Sequence, residues 1–334
     1  MQTKWIPDNS ALAAFRESPE LFRLKYRHHL QPASPNDKMT AGSAIHAGRN
    51  VLYNFKASAP RGLAAVYPPE VIDAAVAVAR AHRGEGSGHR SADQCETIVR
   101  TYAAKYAVEP FHVVENERYV EARIVCEMCK ASAVSSLGAM TLPDADCALG
   151  YPCGCFYFCG IIDAVGQFPD ESRYAMDLKS TGAYLNESWE TMVRLGDQFV
   201  GYVAMERANG RRCDGFFVDG IHVRDAKPRK DGSLGVPSVG EDDFVRVGPV
   251  SVPEWRIERW AQDVRYTLRQ IAELEETRGL DAPWPIYQNW PYGKVDAYRE
   301  FYETPAELHH EVRNMFEVRE WSPREVAEQR KVTP

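Results

Sequence analysis

The chain has no apolar run approaching the ~20 residues that a membrane-spanning helix needs, so no membrane partner is expected. Its first segment, Met1-Gln2-Thr3-Lys4-Trp5-Ile6-Pro7-Asp8, lacks the apolar stretch of a secretory leader, and the expected location is the cytoplasm. Positive charge is not in excess: 40 Lys and Arg against 47 Asp and Glu leave a formal net charge of -7. That excludes a generally basic, polyanion-coating surface. It does not exclude a local grip on an anion, because the field follows where charges sit rather than their sum. No Gly-x-x-x-x-Gly-Lys-Ser/Thr loop occurs, so the chain carries no P-loop motor of its own. Internal repeats are lacking, and no cysteine precedes Cys95 or follows Cys213. What remains is a 334-residue chain, 44% hydrophobic, long enough for one elaborated domain or two small ones.

The cysteines that are present are crowded. Six of the eight fall between Cys126 and Cys159. In a cytoplasmic chain such clustering favours metal binding over disulfides. Cys126-Glu127-Met128-Cys129 has zinc-knuckle spacing, and Cys153-Gly154-Cys155 can turn two thiolates toward one ion across a hairpin. Cys126, Cys129, Cys153 and Cys155 would complete a closed tetrahedral zinc site. Cys147 could replace one of the four, and Cys159 reads as a core residue of the strand that follows. Reduced thiols in a loop are the alternative.

Two apolar, strand-like runs then deliver acidic residues: Gly160-Ile161-Ile162-Asp163-Ala164-Val165 and Ala175-Met176-Asp177-Leu178-Lys179-Ser180-Thr181. Period-2 geometry puts Asp177 and Lys179 on one strand face and Leu178 on the other. An antiparallel neighbour can bring Asp163 beside them. Two carboxylates and an ammonium on one face suit a divalent metal with a cation alongside, the chemistry of phosphodiester hydrolysis. An Asp-x-Lys tripeptide alone is equally a salt-bridged pair on a surface strand. Its company is more telling. Gly42-Ser43-Ala44-Ile45-His46 lies upstream on a predicted helix, where the small residues would allow close approach to the sheet and let the His46 imidazole reach the metal. Downstream, Gln198 and Tyr202 are four apart and share a helix face. Glu121, on the strand before the cysteines, is a further acidic candidate. Lys227, Arg229 and Lys230 form a basic run suited to phosphate contact, or else a solvated loop.

In this order, Gly42 to His46 (GxxxH), Gly160 to Asp163, Asp177 to Lys179 (D-x-K) and Gln198 to Tyr202 (QxxxY) resemble the PD-(D/E)XK nuclease superfamily, and within it the RecB-type exonuclease branch. The resemblance covers most of the chain. It implies an α/β fold with a central mixed sheet flanked by helices, and metal-dependent cleavage of DNA. Magnesium or manganese would be held by His46, Asp163, Asp177 and the Leu178 carbonyl. Lys179 would act on the attacking water and transition state, Gln198 would support the metal site, and Tyr202 would contact substrate. A helicase or recombinase acting in trans is a conceivable partner, in a phage or mobile-element setting. Many relatives of that branch hold an iron–sulfur cluster with one cysteine before GxxxH and three near the C-terminus. Here Ser18-Pro19 and Trp290-Pro291-Tyr292-Gly293, with Asp296 and Tyr298, stand in those places, so that cluster is absent. Two other readings stay open: a non-catalytic nucleic-acid-binding subunit, and a restriction-type endonuclease, from which QxxxY leans away.

The expected organisation is an N-terminal helical region over residues 1–115, a nuclease core over 116–250 with a cysteine-rich insertion at 126–159, and a C-terminal helical region over 251–334. Helices are expected near 9–27, from about 40 to Pro60, over 69–82, and from a Ser91 cap to about 106. Another should start from an Asn186 cap and carry QxxxY to about 207. Two more are expected over 253–277 and 305–321. Strands are expected near 118–126, at the two aspartate-bearing runs, and near 215–223 and 244–250.

Overall fold

Proline, serine and glycine punctuate the N-terminal third. The computed structural model describes residues 5–33, 37–60, 66–84, 90–126, 155–231, 234–287 and 297–332. Helix α1 (Asn9–Glu17) is capped by Asp8, whose carboxylate accepts from the Ala11 amide. The helix expected to run to Arg27 stops at Ser18, which is extended because it precedes a proline. Ser18 then caps the short α2 (Pro19–Phe22), and one wide turn over Arg23–Arg27 leads to β1 (Leu30–Pro32). Three helices follow: α3 (Asp37–Ser58), α4 (Pro69–Arg83) and α5 (Ala92–Lys105), the last capped by the Ser91 hydroxyl as expected.

The runs rich in Val, Ile, Phe and Tyr pair into one five-stranded sheet. Its members are β2 (His112–Ile124), β3 (Phe156–Gln167), β4 (Arg173–Thr181), β5 (Gly215–His222) and β6 (Phe244–Ser251), in the spatial order β2-β3-β4-β5-β6. Only β4 and β5 are parallel, so the sheet is mixed as expected. A parallel pair needs a crossover, supplied by α6 (Glu187–Leu195) and α7 (Asp197–Ala208). The single helix expected from Asn186 is two helices. Asn186 caps α6, and Gly196, in extended conformation, separates it from the QxxxY helix α7. A Cβ at Gly196 would come within 2.9 Å of the Phe199 ring, which folds back over the turn.

One face of the sheet packs Ala164, Met176, Leu178, Phe217 and Ile221 against α3, α4 and α5. The other packs Ile162, Ala175, Phe216 and Val218 against α1, α7 and the long helix α8 (Glu254–Arg278). After α8 come α9 (Arg299–Glu303), α10 (His309–Arg313), β7 (Phe316–Val318) and α11 (Pro323–Val332). The helix expected over 305–321 is thus broken. Pairing with β1 claims Phe316–Val318 as an antiparallel strand, with Leu30 opposite Val318, and this long-range ladder overrides local pattern. Tyr298 ties the same corner by donating its hydroxyl to the Leu30 carbonyl at 2.6 Å.

Among the described residues no helix is long and apolar enough to cross a membrane. Cys129, Cys147 and Cys153, Trp290 to Gly293, and Asp296 lie outside the described residues.

Candidate active site

The pairing of β3 with β4 covers only Ala164 to Gln167 against Arg173 to Met176. Beyond it the strands part: β3 continues along β2, and β4 continues along β5. The next step of that register would put Asp163 opposite Asp177, so both aspartates stand where the sheet forks. On the other side of β3, Asn116 faces Ala164 and Arg118 faces Ile162, which sets Glu117 beside Asp163. Three carboxylates therefore form a row across β2, β3 and β4, all buried. Glu117 has a φ of 46°, a left-handed backbone that costs a non-glycine residue of order 1 kcal/mol or more.

Helix α3 closes one face of the fork. A Cβ at Gly42 would lie 2.7 Å from the Ser180 hydroxyl, so glycine there sets how closely α3 approaches β4. That approach brings His46 Nε2 to 2.7 Å from the Leu178 carbonyl. The carbonyl can only accept, so Nε2 carries the proton and Nδ1 is left facing Asp163 Oδ2 across 3.4 Å. Asp163 Oδ2 also accepts from the Leu178 amide at 2.9 Å. One ligand atom from each of His46, Glu117 and Asp163 falls within 4.8 Å of the others.

Helix α7 closes the other face, at a position where a Cβ on Gly160 would press within 3.2 Å of the Tyr202 ring. Gln198 Nε2 donates to the Tyr202 hydroxyl at 2.6 Å, and both reach Asp177 Oδ1 at 3.4 Å. Lys179 Nζ lies 2.9 Å from Asp177 Oδ2 and is partly open to solvent. Burial pushes the Asp177 carboxyl up to about 6; Lys179 opposes that shift and the neighbouring Asp163 charge adds to it.

The family model of the PD-(D/E)XK nuclease superfamily matches residues 9–282, which contain every element of the fork. The chain belongs to the PD-(D/E)XK nuclease superfamily. Comparison with the curated proteins finds no match.

PD-(D/E)XK nucleases use divalent metals, and this fork fits one. Its donors are hard carboxylate oxygens with one imidazole. His46 Nδ1 and the Asp163 carboxylate stand 3.4 Å apart, and with Glu117 each offers one ligand atom within reach of a single cation. The expected ligands Asp163, His46 and Leu178 are in mutual contact, while Asp177 is turned to Lys179, Gln198 and Tyr202. Glu117 was missed by sequence reasoning, which singled out Glu121. Glu121 instead accepts from Tyr119 at 2.9 Å and pairs with Arg324, away from the fork. Arg49, one turn after His46, was also missed. It is buried and stacked 3.8 Å over the Tyr53 ring, and its guanidinium makes no hydrogen bond among the described residues. Burial pulls its pKa down, but Tyr53, Tyr102, Asp163 and Asp219 more than reverse this, so it stays charged behind the carboxylate row.

The remaining expected residues lie elsewhere in the PD-(D/E)XK fold. Lys227, Arg229 and Lys230 are exposed on the loop after β5. Cys126 and Cys155 meet where β2 and β3 end, the Cys126 amide donating to the Cys155 sulfur at 3.3 Å. Cys159 is buried in β3, as a core residue should be.

Proposed function

We propose that the protein is a magnesium- or manganese-dependent DNA exonuclease or DNA-processing nuclease of the RecB-type branch. The observation that supports it most is the sheet fork, where Asp163 and Asp177 stand beside Lys179 with His46 and the Gln198–Tyr202 pair closing in from two helices. His46, Asp163, Asp177 and the Leu178 carbonyl would hold the ion, with Glu117 added to that set. When bound, the metal supplies Lewis-acid polarisation of a phosphoryl oxygen and acidifies a coordinated water. Lys179 orients the attacking water and offsets charge that develops on the phosphorane-like centre. Tyr202, buried with its hydroxyl on Asp177, fixes that carboxylate for its task, and Gln198 holds the tyrosine. End-processing follows from the resemblance of the QxxxY pair to exonucleases. Lys227, Arg229 and Lys230 would meet phosphates outside the centre.

The test is incubation with end-labelled linear and covalently closed circular DNA in magnesium, manganese or EDTA. Metal-dependent loss of the linear substrate alone supports the reading. Cleavage of circles assigns an endonuclease, and inertness toward every DNA removes the catalytic role.

A further inference from the structure

Beside the fork lies a cavity of about 1050 Å³. Its floor is the end of β4, from Leu178 through Lys179 to Gly182. One stretch of its lining carries His82 at the end of α4 and Arg90 just before α5; another carries Arg319 and Trp321, between β7 and α11. In a chain with a formal charge of -7, no Asp or Glu lines this cavity among the described residues, whereas Arg90, Lys179 and Arg319 all do.

Both stretches are held in place. Arg90 is 3% exposed, and its Nε donates to Asp225 at 3.0 Å. Its Nη2 is turned to the floor, where a Cβ on Gly182 would come within 2.9 Å of it. In the other stretch the Arg319 amide donates to the His29 carbonyl at 2.8 Å, extending the β1–β7 ladder. Trp321 Nε1 donates to Asp8 at 2.6 Å, the same aspartate that caps α1. α11 then packs on β2 and β3. The Arg319 side chain itself is exposed. This second stretch lies beyond residue 282, where the family match ends.

We propose that Arg90 and Arg319, from two separate stretches of the cavity lining, hold the sugar–phosphate backbone of one DNA strand and lead it along the cavity to Lys179 and the fork. The proposal rests on the nuclease reading and assigns its substrate track. Guanidinium groups bind phosphate oxygens bidentately. Arg319 and Lys179, on a cavity with no carboxylate in its described lining, attract a polyanion in spite of the negative whole, while Arg90, already paired with Asp225, adds the donor Nη2. A cavity near the upper end of the ~300–1,000 Å³ that holds a drug-sized molecule takes a few nucleotides of a single strand and leaves a duplex outside. Arg90 and Arg319 are positioning residues: they act on where the strand lies, not on the bond that breaks.

The experiment measures fluorescence anisotropy of a labelled single-stranded oligonucleotide, and of its blunt duplex, with magnesium present and the Lys179→Ala substitution blocking cleavage. Arg319→Ala and Arg90→Gln should each weaken single-strand binding about tenfold. Each should also reduce the slope of log K against log salt by ~0.7, the value for one phosphate contact on a single strand. Arg90→Lys should recover part of the loss, and Arg299→Ala, an exposed cation on α9, should change nothing. With Lys179 intact, both variants should raise KM and hold kcat. Parental single-strand affinity in Arg319→Ala and Arg90→Gln, or a loss confined to the duplex, overturns the proposal while the nuclease reading stands. A parent that neither binds nor cleaves DNA overturns the nuclease reading itself.

Discussion

Asp177 on β4 and Asp219 on β5 are buried on neighbouring parallel strands, with Leu178 opposite Asp219 in the register. Burial alone would raise both carboxyls. It succeeds at Asp177, which is pushed up to about 6 against the opposing pull of Lys179. At Asp219 the Arg246 charge, with hydrogen bonds from Arg246 and Tyr102, outweighs burial, and the carboxyl falls below its ordinary value. Arg246 donates to both Asp219 oxygens at 2.6 and 2.9 Å, Tyr102 adds a third bond at 2.6 Å, and Arg246 also pairs with Glu109. Lys56 is attracted by both Glu109 and Asp219, and with this second cation the cluster around Asp219 neutralises itself. The fork does not: Glu117, Asp163 and Asp177 outnumber the local cations Lys179 and Arg49. A closed cluster holds strands together, whereas an open one is short of positive charge, and a divalent ion supplies what is missing.

The sharpest way to break this contrast is to cut each cluster in turn. Asp177→Ala should reduce cleavage to background, and Lys179→Ala should lower kcat by ~10²–10³, the usual loss for one transition-state-stabilising group. Neither should unfold the protein, since the fork is already electrostatically frustrated. Manganese binding by equilibrium dialysis should weaken in Asp177→Ala and persist in Lys179→Ala. Parental turnover in either variant removes the fork from catalysis.

Asp219→Ala should do the converse. Leaving Arg246 without its buried partner costs about 3–5 kcal/mol of stability, read as a lower urea midpoint at unchanged slope. Turnover per folded molecule should hold. A large fall in kcat without loss of stability would show that the second cluster belongs to the active site.

Smaller, but opposite in sign, are the two pH responses. Asp177 has a raised folded-state pKa, so in metal-free protein its contribution is present near pH 4 and is lost as pH rises through about 6. Asp219 has a depressed one, so its contribution is present above the ordinary aspartate range and is lost as pH falls. Asp177→Asn should flatten the first slope, Asp219→Asn the second, in unfolding titrations under EDTA. Saturating magnesium should abolish the Asp177 slope, because the ion binds the deprotonated carboxylate and displaces the proton.

Much of the fork is readable from residue spacing. Asp177 and Lys179 share a strand face by period 2, Gln198 and Tyr202 a helix face by spacing four, and the small residues before His46 permit the approach that Gly42 makes to Ser180. Glu117 is different in kind. Its place beside Asp163 depends on the register between β2 and β3, which residues 125–155 separate, and no periodicity within β2 singles it out from Glu115 or Glu121. The stretch bearing Arg319 was hidden for a related reason. The helix-like pattern of 305–321 gives way to a ladder with β1, near the other end of the sequence, in which Leu30 faces Val318 and Pro32 faces Phe316. Such pairing leaves no local signature, and neither does the Gly196 turn, set by how Phe199 packs.

The end of the β2–β3 hairpin offers a third buried polar spot, and the smallest expected effect on cleavage. Cys126 and Cys155 meet there, the Cys126 amide donating to the Cys155 sulfur. We propose that these two, with Cys129 and Cys153, hold a structural zinc rather than a catalytic ion. Elemental analysis should then find about one zinc per chain and no stoichiometric iron. The ion should survive dialysis that strips magnesium, since magnesium keeps its waters and binds through few protein oxygens. The double variant Cys126→Ser, Cys129→Ser should lose the zinc and melt at lower temperature, because metal binding at such a site is coupled to folding. Its cleavage rate below that temperature should match the parent, as Cys126 and Cys155 stand where β2 ends and β3 begins, several residues along both strands from Glu117 and Asp163. Zinc-free parent protein with unaltered melting would sink the zinc site. Iron with acid-labile sulfide would instead show that the same cysteines hold a cluster.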